Sequence, residues 1–225
     1  MSLKAQLDAC RSEYEANAEP HVLDAVGRSV RTLAETRLIA RAVKAGERAP
    51  LFRLRCRGGG FIDLSDLLDR GPVVISFFWG DWSSFCVLEL RALAAALSEI
   101  KRLGATLVAL SPHARGNSSF PGSDGEPPFP ILRDRGCEIA GRYRIAVTVP
   151  QRFRAAYLAM GHPSSENTGS KAWVLPIPAT YVLDNTGLVV LSYLDADHTT
   201  RLEPTDILVA LAQMRAAVIP DRNNR

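Results

Sequence analysis

Hydrophobic positions recur along this chain with two different periods, and the switches between them divide it into elements. The sharpest switch lies between Val73 and Leu103. Val73 to Phe78 is a run of apolar and β-branched residues with the length of one fully buried strand. After a loop from Gly80 to Phe85, Leu90, Leu93, Leu97 and Ile100 return at helical spacing, Gly104 breaks the helix, and Thr106 to Leu110 reads as the next strand. A strand–helix–strand unit predicts a parallel pair joined by a right-handed crossover.

The rest of the chain extends this pattern. Leu3, Leu7, Cys10 and Tyr14 share one helical face within residues 2–19, and Pro20 interrupts. A second amphipathic helix is expected over residues 21–45, with Val22, Val26, Val30 and Leu33 inward. Residues 51–55 and 60–64 read as a hairpin around Arg57–Gly60, followed by a helical turn with Ser65 as its cap. Residues 114–128, rich in Gly, Ser and Pro, read as a mobile loop, and 161–171 as a polar one. Short helices are expected at 136–143, carrying Cys137, and at 149–160. Ala179 to Leu183 and Leu188 to Tyr193, joined by an Asp-Asn-Thr-Gly turn, predict an antiparallel pair. A last helix runs over 204–218 with Ile207, Leu208, Leu211 and Met214 inward. The expected organisation is a helical extension (1–45), one α/β domain (46–219) and a frayed tail (220–225).

Composition narrows this only slightly. Apolar residues make up 47% of 225, enough for a full core, and the formal charge is +3. No Lys/Arg cluster dominates, which argues against nucleic acid or a membrane surface as partner. No apolar run is long enough for a bilayer and no charged start precedes one, so a cytoplasmic protein is expected. The cysteines Cys10, Cys56, Cys86 and Cys137 are too scattered for a disulfide framework or a zinc site, and neither a metal nor another cofactor is expected. The extension's two apolar faces, if larger than one domain can cover, predict a homodimer.

The candidate chemistry sits at Cys86, on the first turn of the helix after the central strand. Unpaired backbone N–H groups and the positive end of the helix dipole there favour a thiolate. Ser83 suits the helix cap, and His113 closes the next strand at the same sheet edge; a loop histidine there reads as solvent-exposed.

The segment FFWGDWSSFCVLEL resembles the active-site segment of peroxiredoxins, the alkyl hydroperoxide reductase and thiol-specific antioxidant (AhpC/TSA) family. The whole chain is similar to a bacterial subgroup with an N-terminal helical extension, an LSDLL segment (Leu64 to Leu68), an ELRAL helix (Glu89 to Leu93) and LPxPATYVLD (Leu175 to Asp184). The resemblance implies a thioredoxin-like three-layer fold, a mixed central sheet flanked by helices. It implies that Cys86 is the peroxidatic cysteine, with Ser83 and Glu89 in supporting positions and Trp82, Asp81 and Pro178 around the pocket. It implies a thiol peroxidase acting on hydrogen peroxide or alkyl hydroperoxides and reduced by an external thiol: thioredoxin, glutaredoxin or a low-molecular-weight thiol. The alternative is a redox-sensing or binding protein on the same fold. Ser83 replaces the subgroup's first cysteine, excluding a Cys-x-x-Cys dithiol and pointing to a one-cysteine enzyme, with Cys137 the candidate resolving residue if one exists. Pro178 stands where peroxiredoxins carry an Arg beside the thiol, and the matching proline of thioredoxin-like folds is cis. A cis Ile177–Pro178 bond and slow chemistry are therefore expected.

Overall fold

A computed structural model describes residues 1–56, 59–113, 128–163 and 173–218. The tail and most of the two loop segments anticipated after His113 and Gly161 lie outside these residues, as does part of the Arg57–Gly60 turn.

The centre is a five-stranded sheet in the order β5 (Ile131–Arg133), β4 (Thr106–Ser111), β3 (Val73–Phe77), β8 (Ala179–Leu183), β9 (Val189–Leu194). β3, β4 and β5 run parallel, whereas β8 is antiparallel to β3 and to β9, so the sheet is mixed as expected. β3 is buried at every position, and its alternation sorts its side chains onto two cores. Val73, Ile75 and Phe77 face one core, with α4 (Leu64–Leu68) and α6 (Glu138–Arg142). Val74 and Phe78 face the other, with α5 (Ser84–Arg102) and α8 (Pro204–Val218). Two small antiparallel pairs complete the described strands: β1 (Arg53–Arg55) with β2 (Phe61–Asp63), and β6 (Ala146–Thr148) with β7 (Val174–Pro176). The β6–β7 pair has no counterpart in the sequence reading, because three-residue strands are too short to show a period.

The extension comprises α1 (Leu3–Asn17), α2 (Pro20–Glu35) and α3 (Leu38–Arg41), where the sequence suggested two helices. Its apolar faces are covered within the chain. Leu3 and Leu7 pack on Phe85 at the start of α5, and Val22 and Val26 pack on Ala156 of α7 (Arg154–Ala159). That removes the reason given for a homodimer. At α4 the capping side chain is Asp63 rather than Ser65: its carboxylate accepts from the Ser65 N–H, two residues earlier than the reading placed the cap. No helix among the described residues is long and apolar enough to cross a membrane.

Candidate active site

Cys86 lies on the first turn of α5, fully buried, with a thiol that joins no disulfide. Ser83 is the N-cap of that helix: its Oγ accepts from the Cys86 N–H at 3.5 Å. The loop before it is held by close packing. A Cβ at Gly80 would stand 2.7 Å from the Trp82 indole nitrogen, so the turn requires glycine. Trp82 stacks on Trp79, with ring centroids 5.4 Å apart and planes 16° apart. Trp79 is anchored by its indole N–H, which donates to the Pro176 carbonyl at 2.8 Å.

One helical turn beyond Cys86, Glu89 points the same way and is 2% exposed. Its Oε1 accepts from the hydroxyls of Ser76 (3.2 Å) and Thr180 (3.4 Å). These two residues are registered partners on β3 and β8, and each breaks its strand's apolar run on the face turned to α5. Glu89 Oε2 accepts from Nε of Arg201 at 2.5 Å. Arg201, in the segment between β9 and α8, donates through Nη2 to Cys86 Sγ at 3.3 Å and through Nη1 to the carbonyls of His198 and Thr200. It is 8% exposed. Burial works against its charge, but the Glu89 carboxylate and the Cys86 sulfur outweigh it, and its pKa is raised.

The structure thus supplies the cation that the sequence did not offer. Pro178 brings no charge to the site, as read, but the expectation that the thiol lacks a basic neighbour, and with it the reason for slow chemistry, is overturned. The basic group arrives from 115 residues along the chain. The sequence holds one signal for it. Glu89 sits three residues from Cys86, beside the buried stripe of Leu90, Leu93 and Leu97, and a carboxylate buried there demands a cation.

Other expectations are corrected as well. No peptide bond among the described residues is cis, so Ile177–Pro178 is trans. The Ile177 N–H bonds the Ile145 carbonyl, and the chain continues extended from β7 into β8. Asp81 is exposed, in the loop between β3 and α5. His113 is 6% exposed rather than solvated, its ring edge-on to His162 with centroids 5.2 Å apart. Cys137 is buried in the core on the opposite face of the sheet from Cys86, its thiol donating to the Val174 carbonyl at 3.2 Å, and the structure does not bring the two together.

His198 was not singled out in the sequence. It is 5% exposed, stacks on Trp79 with centroids 4.9 Å apart, and meets Phe85 edge-on. Burial, reinforced by Arg201, lowers its pKa to about 4 against the opposing pull of Asp197. It is neutral at physiological pH. Trp79, His198 and Pro178 also line a cavity of about 170 Å³, whose other walls include Val30 and Leu33 of α2.

A sequence model described as the AhpC/TSA family matches residues 45–192. The chain is 24% identical over 162 residues to the chloroplastic peroxiredoxin Q of Oryza sativa subsp. japonica, an alignment covering 72% of this chain and 64% of that one. It spans between 45% and 64% of the length of the curated relatives it matches. Among solved structures it resembles the peroxidoxin BcpB of Mycobacterium tuberculosis, with TM-score 0.58 and 19% identity, covering 76% of this chain and 98% of that one. It also resembles a cysteine-to-serine mutant of peroxiredoxin 6 from Arenicola marina, with TM-score 0.60 and 20% identity, covering 78% of this chain and 74% of that one. At these identities the structural likeness speaks for the fold. Arg201 and α1 both lie outside the span that the family model matches.

Proposed function

The chain belongs to the AhpC/TSA family, and from that premise we propose that it is a thiol peroxidase whose peroxidatic residue is Cys86. The observation that carries the proposal is the contact between Arg201 Nη2 and Cys86 Sγ at 3.3 Å, with the guanidinium locked from behind by Glu89. A hydrogen bond from a cation to sulfur favours the thiolate, which is the nucleophile. The helix N-terminus adds to the same effect.

The chemistry follows from those groups. The Cys86 thiolate attacks one oxygen of the peroxide, an S–O bond forms and the O–O bond breaks. Sulfur gives up two electrons and becomes a sulfenic acid, while the departing oxygen takes a proton and leaves as water or an alcohol. Of the guanidinium's five N–H groups, four are engaged by Glu89, the two carbonyls and the sulfur. The fifth, on the nitrogen that already faces Sγ, is placed to donate to the peroxide oxygen as negative charge builds on it. Ser83 supports the thiol by capping its helix. Hydrogen peroxide and alkyl hydroperoxides are the substrate class.

Reduction uses an external thiol. One thiol condenses with the sulfenic acid, releasing water and leaving a mixed disulfide, and a second thiol displaces Cys86. The packing of Cys137 on the far face supports this one-cysteine cycle, in which a cytoplasmic thioredoxin, glutaredoxin or small thiol is the reductant. A second reading, a redox-sensing or binding protein, is favoured by one observation, the complete burial of Cys86.

Peroxide consumption measured with each of the three thiol donors separates the readings. The peroxidase reading expects turnover with at least one donor and none in Cys86→Ser. Formation of a sulfenic acid at Cys86 without turnover by any donor selects the sensing reading. Undiminished consumption by Cys86→Ser removes Cys86 from the chemistry.

A further inference from the structure

Arg201 reaches Cys86 from a segment with little regular structure of its own, residues 195–203 between β9 and α8. The first helix of the chain holds that segment on both sides of Arg201. Upstream, Arg11 Nη2 donates to Asp197 Oδ2 at 2.9 Å and also to the Thr199 hydroxyl. Downstream, the Glu203 carboxylate sits on the α1 N-terminus, where Oε2 accepts from the Leu3 N–H at 3.2 Å and Oε1 from the Lys4 N–H at 2.7 Å. Those are two of the N–H groups that a helix start leaves without intrahelical partners, and the dipole favours a carboxylate there. The segment also braces itself. Asp197 accepts from the Thr199 N–H and hydroxyl, and Arg201 bonds the carbonyls of His198 and Thr200. On its apolar side α1 packs Leu3 and Leu7 against Phe85, the residue before Cys86. One helix therefore touches both the turn that carries the thiol and the segment that carries its cation.

We propose that α1 is a positioning element of the active site, in which Arg11 and Glu203 hold residues 197–203 so that Arg201 stays on the Cys86 sulfur. This rests on the reading of Cys86 as a peroxidatic thiol with Arg201 as its partner. Glu89 fixes one edge of the guanidinium but not the backbone that delivers it. Without the two anchors on α1, the segment keeps its internal turns and the stacking of His198 on Trp79 but loses its polar ties to the helix on both sides of Arg201. A guanidinium displaced by about 1 Å loses most of its effect on a reacting atom, at a cost of up to about a hundredfold in rate. Residues 1–17 then belong to the machinery rather than to a detachable cover.

The test uses the full chain and follows oxidation of Cys86 by hydrogen peroxide, together with the pH profile of Cys86 alkylation. The variants are Arg11→Met, Arg11→Lys, Glu203→Gln, Arg201→Met and the double variant Arg11→Met with Arg201→Met. Arg11 is a partly exposed surface residue, so its variants are expected to fold, and Glu203→Gln probes the other anchor independently. Arg11→Met is expected to slow oxidation by about tenfold and to move the alkylation profile to higher pH. Glu203→Gln should act in the same direction, and Arg11→Lys should restore much of the loss. In the Arg201→Met background Arg11→Met should change nothing further, because its effect passes through Arg201. A purely structural role predicts additive losses and an unmoved pH profile, and either result overturns the inference. If Arg201→Met is slow while Arg11→Met and Glu203→Gln react normally, the inference falls and the peroxidase reading stands. If Arg201→Met also reacts normally, the inference falls together with the role assigned to Arg201, and Cys86→Ser decides the peroxidase reading.

Discussion

Arg201 Nε and Glu89 Oε2 stand 2.5 Å apart, and each side chain is only 2% exposed. A pair so deeply buried is held less by its own attraction than by the cost of leaving either charge alone. Glu89 spreads its remaining capacity over the hydroxyls of Ser76 and Thr180, and Arg201 over two carbonyls and the sulfur. Removing one partner strands the other. Glu89→Ala is expected to lower stability by about 3–5 kcal/mol, read by urea denaturation, and to slow Cys86 oxidation. A loss below about 1 kcal/mol would mean the guanidinium finds water or another acceptor.

Acid should weaken the fold through His198. Its pKa in the native protein is lowered from 6.5 to about 4, chiefly by burial and then by Arg201. The unfolded chain therefore binds a proton more readily than the folded one between those values. The stability is fully present above about pH 6.5 and is lost progressively as pH falls toward 4, on the order of 3 kcal/mol in total. Asp197 adds to the loss further down. Burial raises its pKa, but the hydrogen bonds from Thr199 and the nearby Arg11 outweigh this and lower it, so its contribution disappears as pH falls through its own depressed value. Urea midpoints measured at neutral pH and near pH 4 should show this drop, and His198→Phe should flatten the upper part of the profile. An unchanged profile in His198→Phe would assign the acid sensitivity to other groups.

Ser83 is expected to act through its cap. Ser83→Ala should cost about 1 kcal/mol of stability, and Ser83→Asn, also a good cap, should restore it. If the hydroxyl instead donates to the sulfur or the peroxide, Ser83→Asn will recover stability while Cys86 oxidation stays slow and only Ser83→Thr recovers the rate.

Mass spectrometry after substoichiometric peroxide should find Cys86 oxidised before Cys10, Cys56 or Cys137. Burial and the neighbouring Glu13 raise the pKa of Cys10, and Cys137 is closed into the other core, so neither competes. Without an added thiol, no intrachain disulfide with Cys86 should appear. A Cys86–Cys137 bridge would require the sheet to open and would replace the one-cysteine cycle.

The local part of this site was legible in the sequence and the distant part was not. Strand, loop, Ser83 and Cys86 follow each other without a gap, so period and capping chemistry were enough to place the thiol on a helix start. Helical spacing likewise put Glu89 beside Cys86. Arg201 and His198 lie in a segment with no period, brought in only by the turn from β9 to α8, and spacing carries no information about such a contact. His113 and Cys137 show the opposite error. A place in the chain, a loop end for one and a nearby helix for the other, does not locate a side chain; burial and the face of the sheet do. For Pro178 the family analogy predicted a cis bond, and the extended passage from β7 to β8 is made with a trans one.

The central claim is that Arg201 supplies the charge that makes Cys86 a peroxidatic thiol. The most direct measurement is the second-order rate constant for oxidation of Cys86 by hydrogen peroxide in the protein and in Arg201→Met, with folding of the variant checked by circular dichroism. Loss of a charge-assisted hydrogen bond worth about 1.5–3 kcal/mol predicts a rate about ten- to a hundredfold lower in the variant. A folded Arg201→Met protein whose Cys86 reacts within about twofold of the parent would contradict it, since twofold corresponds to less than about 0.5 kcal/mol.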